Sequence, residues 1–198
     1  MWNEKLINGD SFFDRDFDIL LPDEVRVSSY THWTPILIIE KAVEFINEKK
    51  CQKVLDIGSG VGKFCLIASS LSKAHFHGIE IRKQSHLYAI SLAKTTQLNN
   101  VSFSNTNVCD LDFSPYDCFY YFNPFFENIN PNRSIDKNIL LNEQLHQKYV
   151  AHIKSELNKK GIGTVLITYH TNQTEVPNSF ELVYEFENLD LCFWIKKE

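Results

Sequence analysis

Along the middle of the chain the apolar positions switch between two periods. Compact apolar runs at 54–57, 75–81, 101–106, 118–122 and 162–168 read as buried strands, and apolar residues recur at helical spacing over 63–71, 84–98 and 135–157. In the last of these helices Ile139, Leu145, Tyr149, Ile153 and Leu157 fall on one side. Upstream, Thr34-Pro35 opens a further helix with Ile36, Ile39, Val43 and Ile46 in one stripe. Threonine suits the N-cap there, and proline the first helical position. Alternation of strands and helices implies a parallel sheet with helices on both faces. The end of the chain departs from it: 180–187 and 189–196, joined at Asn188, read as an antiparallel hairpin. The expected fold is therefore α/β, a doubly wound, mostly parallel seven-stranded sheet that closes on a C-terminal antiparallel hairpin. Residues 1–33 lack either period, with Phe12, Phe13 and Phe17 set among aspartates. They read as an irregular arm or lid packed on a single domain spanning 34–198.

Composition narrows the picture. The 198 residues carry a formal net charge of −5 with acids and bases mixed along the chain, so strong non-specific nucleic-acid binding is not expected. No run approaches the roughly 20 apolar residues of a membrane span, and the N-terminus lacks the pattern of a signal peptide. Cysteines 51, 65, 109, 118 and 192 are odd in number, scattered and without a Cys-x-x-Cys pair. They read as small buried residues in a reducing cytoplasm. His75 and His77 share one strand face, but no third ligand is spaced to join them, so no metal site is expected.

The richest chemistry lies in Val54-Leu55-Asp56-Ile57-Gly58-Ser59-Gly60-Val61-Gly62-Lys63, a strand, a three-glycine turn and a helix start. Such a turn brings bare backbone to a ligand and aims free helix N–H groups at it. A dinucleotide fingerprint would need glycine where Lys63 stands. A P-loop would need glycine at Ile57 and Ser or Thr at Phe64. The remaining pattern, acid-x-Gly-x-Gly-x-Gly, resembles the first motif of class I S-adenosylmethionine-dependent methyltransferases, and the resemblance in element order covers roughly 34–196.

The resemblance implies a set of roles. S-adenosyl-L-methionine would be the cofactor, held by Asp56, Gly58, Ser59, Gly60 and Gly62. Glu80, about 20 residues past the loop, would accept from the ribose hydroxyls, with Ile81 beside it. Asn107 and Val108, at the place of the family's third motif, would meet the adenine, with Asp110 as the nearby acidic alternative. Asn123-Pro124-Phe125-Phe126 is similar to the Asn-Pro-Pro-aromatic motif of methyltransferases that act on planar amino nitrogens, with Phe125 in place of the second proline. In that motif the asparagine and a proline carbonyl accept from the target NH₂ and the aromatic ring stacks on it. Methyl transfer is then mostly a matter of positioning in a dry site, and a general base is needed only for a charged acceptor; Tyr120, Tyr121, His32 and His170 are the available side chains. Lys63, Arg82 and Lys83 read as surface charge. The expected partner is a methyl acceptor whose amino nitrogen belongs to a base, an amide or a lysine, and the alternative is a cofactor-binding protein without transfer.

Overall fold

The structure, a computed structural model, describes residues 1–130, 132 and 134–197. Seven strands form one sheet: β1 (Lys53–Ile57), β2 (His75–Glu80), β3 (Val101–Asn105), β4 (Cys118–Tyr121), β5 (Val165–Tyr169), β6 (Phe180–Phe186) and β7 (Leu191–Lys196). Their order is β3-β2-β1-β4-β5-β7-β6, parallel except for β7, which runs antiparallel to both β5 and β6. The order reverses between β1 and β4, so a crevice opens beyond their C-terminal ends. The expected architecture is present.

The two faces of the sheet are sorted residue by residue along β1. Val54 joins one apolar cluster with Phe64, Phe76, Tyr120 and Phe193, while Leu55 and Ile57 join another with Phe119, Tyr121, Ile153 and Leu157. That is the two-residue alternation of a strand buried on both sides. Helices α5 (Ile36–Glu48), α6 (Lys63–Leu71) and α7 (Lys83–Lys94) cover the first face, and α8 (Glu143–Asn158) packs on the second. The ring of Phe64 on α6 stacks on Tyr120 at 3.8 Å and 5°.

Three local expectations differ from the structure. Residues 1–33 contain four short helices, α1 (Glu4–Ile7), α2 (Asp14–Asp18), α3 (Asp23–Arg26) and α4 (Ser29–His32), and Leu6, Phe12, Phe17 and Trp33 enter the core. Thr34 does not cap α5: its hydroxyl pairs with Tyr120 Oη (3.0 Å), and the first helical N–H, of Ile36, donates to Asp14 Oδ1 (3.0 Å). The cap is supplied by tertiary contact from 22 residues upstream. The helix expected over 135–157 begins at Glu143, because Asn142 is extended (φ −162°, ψ 162°) and its Oδ1 caps Leu145 N–H (2.9 Å). The preceding stretch, including Ile135 and Ile139, becomes a loop along the crevice.

The histidines of β2 tie it to its neighbour. His75 Nε2 pairs with Ser102 Oγ (2.9 Å), and His77 bonds Ser104 Oγ through Nε2 (2.8 Å) and Tyr116 Oη through Nδ1. No described helix is long and apolar enough to cross a membrane.

Candidate active site

The crevice is a cleft of about 1270 Å³ beyond the ends of β1, β2 and β4. Ten of the residues expected to hold the cofactor or the acceptor line it: Gly58, Gly60, Glu80, Ile81, Asn107, Val108 and the run Asn123, Pro124, Phe125 and Phe126. A small adjoining cavity is lined by Asp56, Gly58 and Ser59, together with Thr34, Lys63 and Tyr120. Gly62 lies outside both linings. It caps α6 at φ 83°, and a Cβ there would meet Phe103 at 2.7 Å and Ala89 at 2.9 Å, so packing demands the glycine. Asp110 is not among the lining residues of the cleft either.

The loop is held from below by its own backbone. Gly58 and Ser59 N–H both donate to Ile79 O (3.0 and 2.9 Å), which ties the turn to the end of β2. Gly58 (φ 81°) touches the next wall directly, since a Cβ there would come within 2.6 Å of Pro124 Cβ. The glycine turn and the Asn123–Phe126 turn are therefore one packed unit. Glu80 is buried and accepts Gly60 N–H at Oε2 (3.0 Å) and Arg82 N–H at Oε1 (2.6 Å). Its burial raises the carboxyl pKa above the usual range, and those two amide hydrogen bonds work against the rise.

Asp56 is 4 % exposed, beneath the loop on the α6 side. Its Oδ2 accepts from Cys65 Sγ at 3.4 Å. Burial pushes its pKa from 3.8 to about 7; the Cys65 hydrogen bond opposes this and the charge of Glu80 adds to it. Ser59 Oγ is buried with no hydrogen-bond partner among the described residues.

On the adenine side of the expected site, Asn107 Oδ1 caps a single turn by accepting Cys109 N–H (2.9 Å), and its Nδ2 donates to Tyr149 Oη (3.1 Å). On the other side, Asn123 sits at the end of β4 with φ 33°, a left-handed conformation that asparagine tolerates better than most residues. Its N–H donates to Thr171 Oγ1 (3.3 Å) and its carbonyl accepts Phe126 N–H (3.2 Å). The Asn123 side-chain amide makes no hydrogen bond to another described residue. Phe125 packs its ring 4.9 Å from Tyr149 and 6.1 Å from Tyr121. At the end of β5, His170 (φ 48°) also lines the cleft, with Nδ1 2.8 Å from Asp190 Oδ2.

Several functional-looking features escaped the sequence reading. Lys63 and Arg82, expected at the surface, are 4 % and 8 % exposed. Lys63 Nζ bonds Asp14 (2.7 Å) and Asp18 (3.1 Å) beneath the rings of Phe17 and Trp33, and so clamps the N-terminal helices to the first turn after the glycine loop. Arg82 pairs with Glu127 across the cleft floor. Both partners lie far away in sequence, and no spacing signals either pair. Tyr149 was visible as a helix-stripe residue, and its hydroxyl contact was not.

Comparison with known proteins agrees with this geometry. The family described as a methyltransferase domain matches residues 48–196. The release factor glutamine methyltransferase of Buchnera aphidicola subsp. Baizongia pistaciae (strain Bp) is 26 % identical over 175 residues, covering 78 % of this chain. The chain spans 59 % of the length of that curated relative. An RNA methyltransferase from Salinibacter ruber, solved with S-adenosyl-L-homocysteine, aligns with a TM-score of 0.58 at 17 % identity, over 83 % of this chain and 94 % of that one. Magnesium protoporphyrin IX methyltransferase from Synechocystis PCC 6803, solved with its methyl donor bound, gives 0.57 at 14 % identity, over 98 % and 90 %. At such identities the two solved structures show a shared fold and nothing finer.

Proposed function

The chain belongs to the methyltransferase domain family, and from that premise we propose that it transfers a methyl group from S-adenosylmethionine to an amino nitrogen, that of an amide or an amine in preference to a nucleobase. The cleft fits such a cofactor. A Cβ at Gly60 would meet nothing within 4 Å, Ser59 Oγ is buried and unpartnered, and the Glu80 carboxylate stands at the wall. In this reading Glu80 accepts from the ribose, and Ile81, Asn107 and Val108 hold the adenine. Asp56 and Ser59 meet the amino-acid end. The cofactor supplies an electrophilic methyl group on a sulfonium.

The observation that carries the acceptor side is Asn123. Its backbone is held in a strained conformation at the end of β4, against the glycine turn through Pro124, while its side-chain amide makes no hydrogen bond to another described residue. Strain of this kind persists where surrounding structure enforces it, and it costs about 1 kcal/mol or more. The Asn123 oxygen and the Pro124 carbonyl would accept from an acceptor NH₂ and turn its lone pair toward the methyl group. Phe125, Phe126 and Tyr149 supply an apolar wall that excludes water from a charge-dispersing transition state.

Two facts favour an amide or amine over a base. The cleft carries Glu24, Glu80, Glu127 and Asp136 against Arg82, a balance unsuited to a polyphosphate backbone. The curated relative is named for a glutamine acceptor.

The test is transfer of labelled methyl from S-adenosylmethionine to three acceptors in parallel: a glutamine-containing peptide, a lysine-containing peptide and an adenine-containing oligonucleotide. Label in either peptide that falls at least about 100-fold in Asn123→Ala, with cofactor affinity retained, is the expected result. Label in the oligonucleotide alone, or undiminished turnover by the variant, would overturn the reading.

A further inference from the structure

Two residues past Glu80, Arg82 joins the cofactor wall to the acceptor wall. Its backbone N–H donates to Glu80 Oε1 (2.6 Å), and its Nη2 donates to Glu127 Oε2 (2.7 Å). Its Nε lies 3.3 Å from Asp136 Oδ2, at ion-pair distance without hydrogen-bond alignment. Glu127 follows the Asn123–Phe126 turn directly, and its Oε2 also accepts Ile135 N–H (3.0 Å). Asn128 Oδ1 accepts Asn142 N–H (3.3 Å). Glu127 and Asn128 are thus tied to Ile135 and Asn142 farther along the same segment, and among the described residues its ionic tie to the sheet is the Arg82 guanidinium.

An apolar contact would hold this loop at less desolvation cost than a buried ion pair. The Arg82 guanidinium does what an apolar contact cannot: it engages two carboxylates of the loop at once, by a hydrogen bond to Glu127 and by charge to Asp136. The loop it directs carries Leu140, 77 % exposed beside the cleft, and Ile135, also lining it. These bare apolar side chains are placed to meet an acceptor.

We propose that Arg82 is a positioning residue that couples ligand occupancy at Glu80 to the order of the 127–142 wall. The inference rests on the cofactor reading given above. A ligand that engages the Glu80 carboxylate restrains the Glu80-Ile81-Arg82 backbone, and the guanidinium passes that restraint to Glu127 and so to the loop. Ligand at one site then lowers the cost of ordering the other.

Amide hydrogen exchange of the full chain, with and without saturating S-adenosylhomocysteine, tests this directly; calorimetry in parallel establishes that the probe is bound. Bound probe should slow exchange across 127–142 by about tenfold in the wild type. In Arg82→Met the probe should still bind, yet the exchange of the loop should be fast and the same in both states. A residue of merely structural importance would instead speed exchange while leaving the ratio between the two states intact, and that outcome overturns the proposal. So does unchanged exchange of the wild-type loop with probe bound. If Arg82→Met fails to fold, Asp136→Asn loosens the same guanidinium from its more exposed side and should reduce the ratio part way; an intact ratio there overturns the proposal as well. Absence of any binding heat in the wild type removes the cofactor reading and this coupling with it.

Discussion

Cofactor affinity should rise with pH through the neutral range, and the reason is Asp56. Its carboxyl lies beneath the glycine turn with burial as the dominant influence, and its pKa stands at about 7 against an ordinary 3.8. The native protein therefore holds this proton more tightly than the unfolded chain does. The stabilising contribution is fully present below about pH 4 and is lost as pH climbs toward 7. A displacement of that size corresponds to about 4 kcal/mol, the cost of keeping the ionised form in place at pH 8. The methionine end of the cofactor carries an ammonium group. Placed in the small cavity beside Asp56, it would favour the carboxylate and expel the proton. Binding should then be about tenfold weaker at pH 6 than at pH 8, with release of about one proton per ligand at pH 6. Calorimetric titration with S-adenosylhomocysteine in two buffers of different ionisation heat measures both quantities. Asp56→Asn should flatten the profile, and because Cys65 can still donate to the amide oxygen, it should raise the ligand-free melting temperature at pH 8. Equal wild-type affinity at pH 6 and pH 8 would refute the argument. A slope that survives in Asp56→Asn would move the titration to Glu80, whose carboxyl is raised in the same direction.

Glu80→Ala should weaken S-adenosylhomocysteine binding by about 1–3 kcal/mol in the same titration, since it removes a charged acceptor and frees the Gly60 N–H; unchanged affinity would take Glu80 out of the site. Gly60→Val should abolish binding while circular dichroism stays native, because the new side chain would project from a φ of 54° into the open space that the cofactor needs; affinity within threefold of wild type would place the ligand elsewhere. Lys63→Met should lower the free energy of urea unfolding by about 2 kcal/mol, less than a fully buried pair would cost because Asp14 stays half exposed to water; an unchanged midpoint would mean that the N-terminal helices are held without the clamp.

The sheet was readable because its central strands β1, β4 and β5 are buried almost throughout and the helices between strands repeat at about 3.6 residues. The sequence reading placed each of the seven strands within about three residues of its observed start, and most within one. What it misjudged were contacts between residues remote in the chain. Thr34-Pro35 is a sound local cap signal, yet a carboxylate at position 14 does the capping and the threonine turns to a buried tyrosine. The apolar spacing of Ile135 and Ile139 continues the stripe of α8, and one capping asparagine breaks the helix after them. Lys63 and Arg82 looked like surface charge because a single sequence does not display their partners. The places of Asn123 and Glu80 on the cleft were legible for the opposite reason: a strand end and a glycine turn, both visible locally, fix where residues there stand.

The replacement of a second proline by Phe125 bears on how rigid the Asn123–Phe126 turn is. Proline at that place would lock φ near −65° and leave no N–H to satisfy. Phe125 has φ −112°, a value proline does not reach, so the turn here follows a different path and must be held by other means. Those means are present. The Phe125 carbonyl accepts both the backbone N–H of Asn128 (2.9 Å) and its side-chain Nδ2 (3.1 Å), and the Phe125 ring is seated between Tyr121 and Tyr149. Tyr149 in turn receives the Asn107 amide from the opposite wall of the cleft. The constraint that proline would supply through one covalent ring is here distributed over two hydrogen bonds and edge-on and tilted aromatic contacts that lead through Tyr149 to Asn107. A turn fixed in this way is stiff only while α8 and the 127–142 loop are in place, so the geometry of the Asn123–Phe126 turn depends on packing that the proline form would not need.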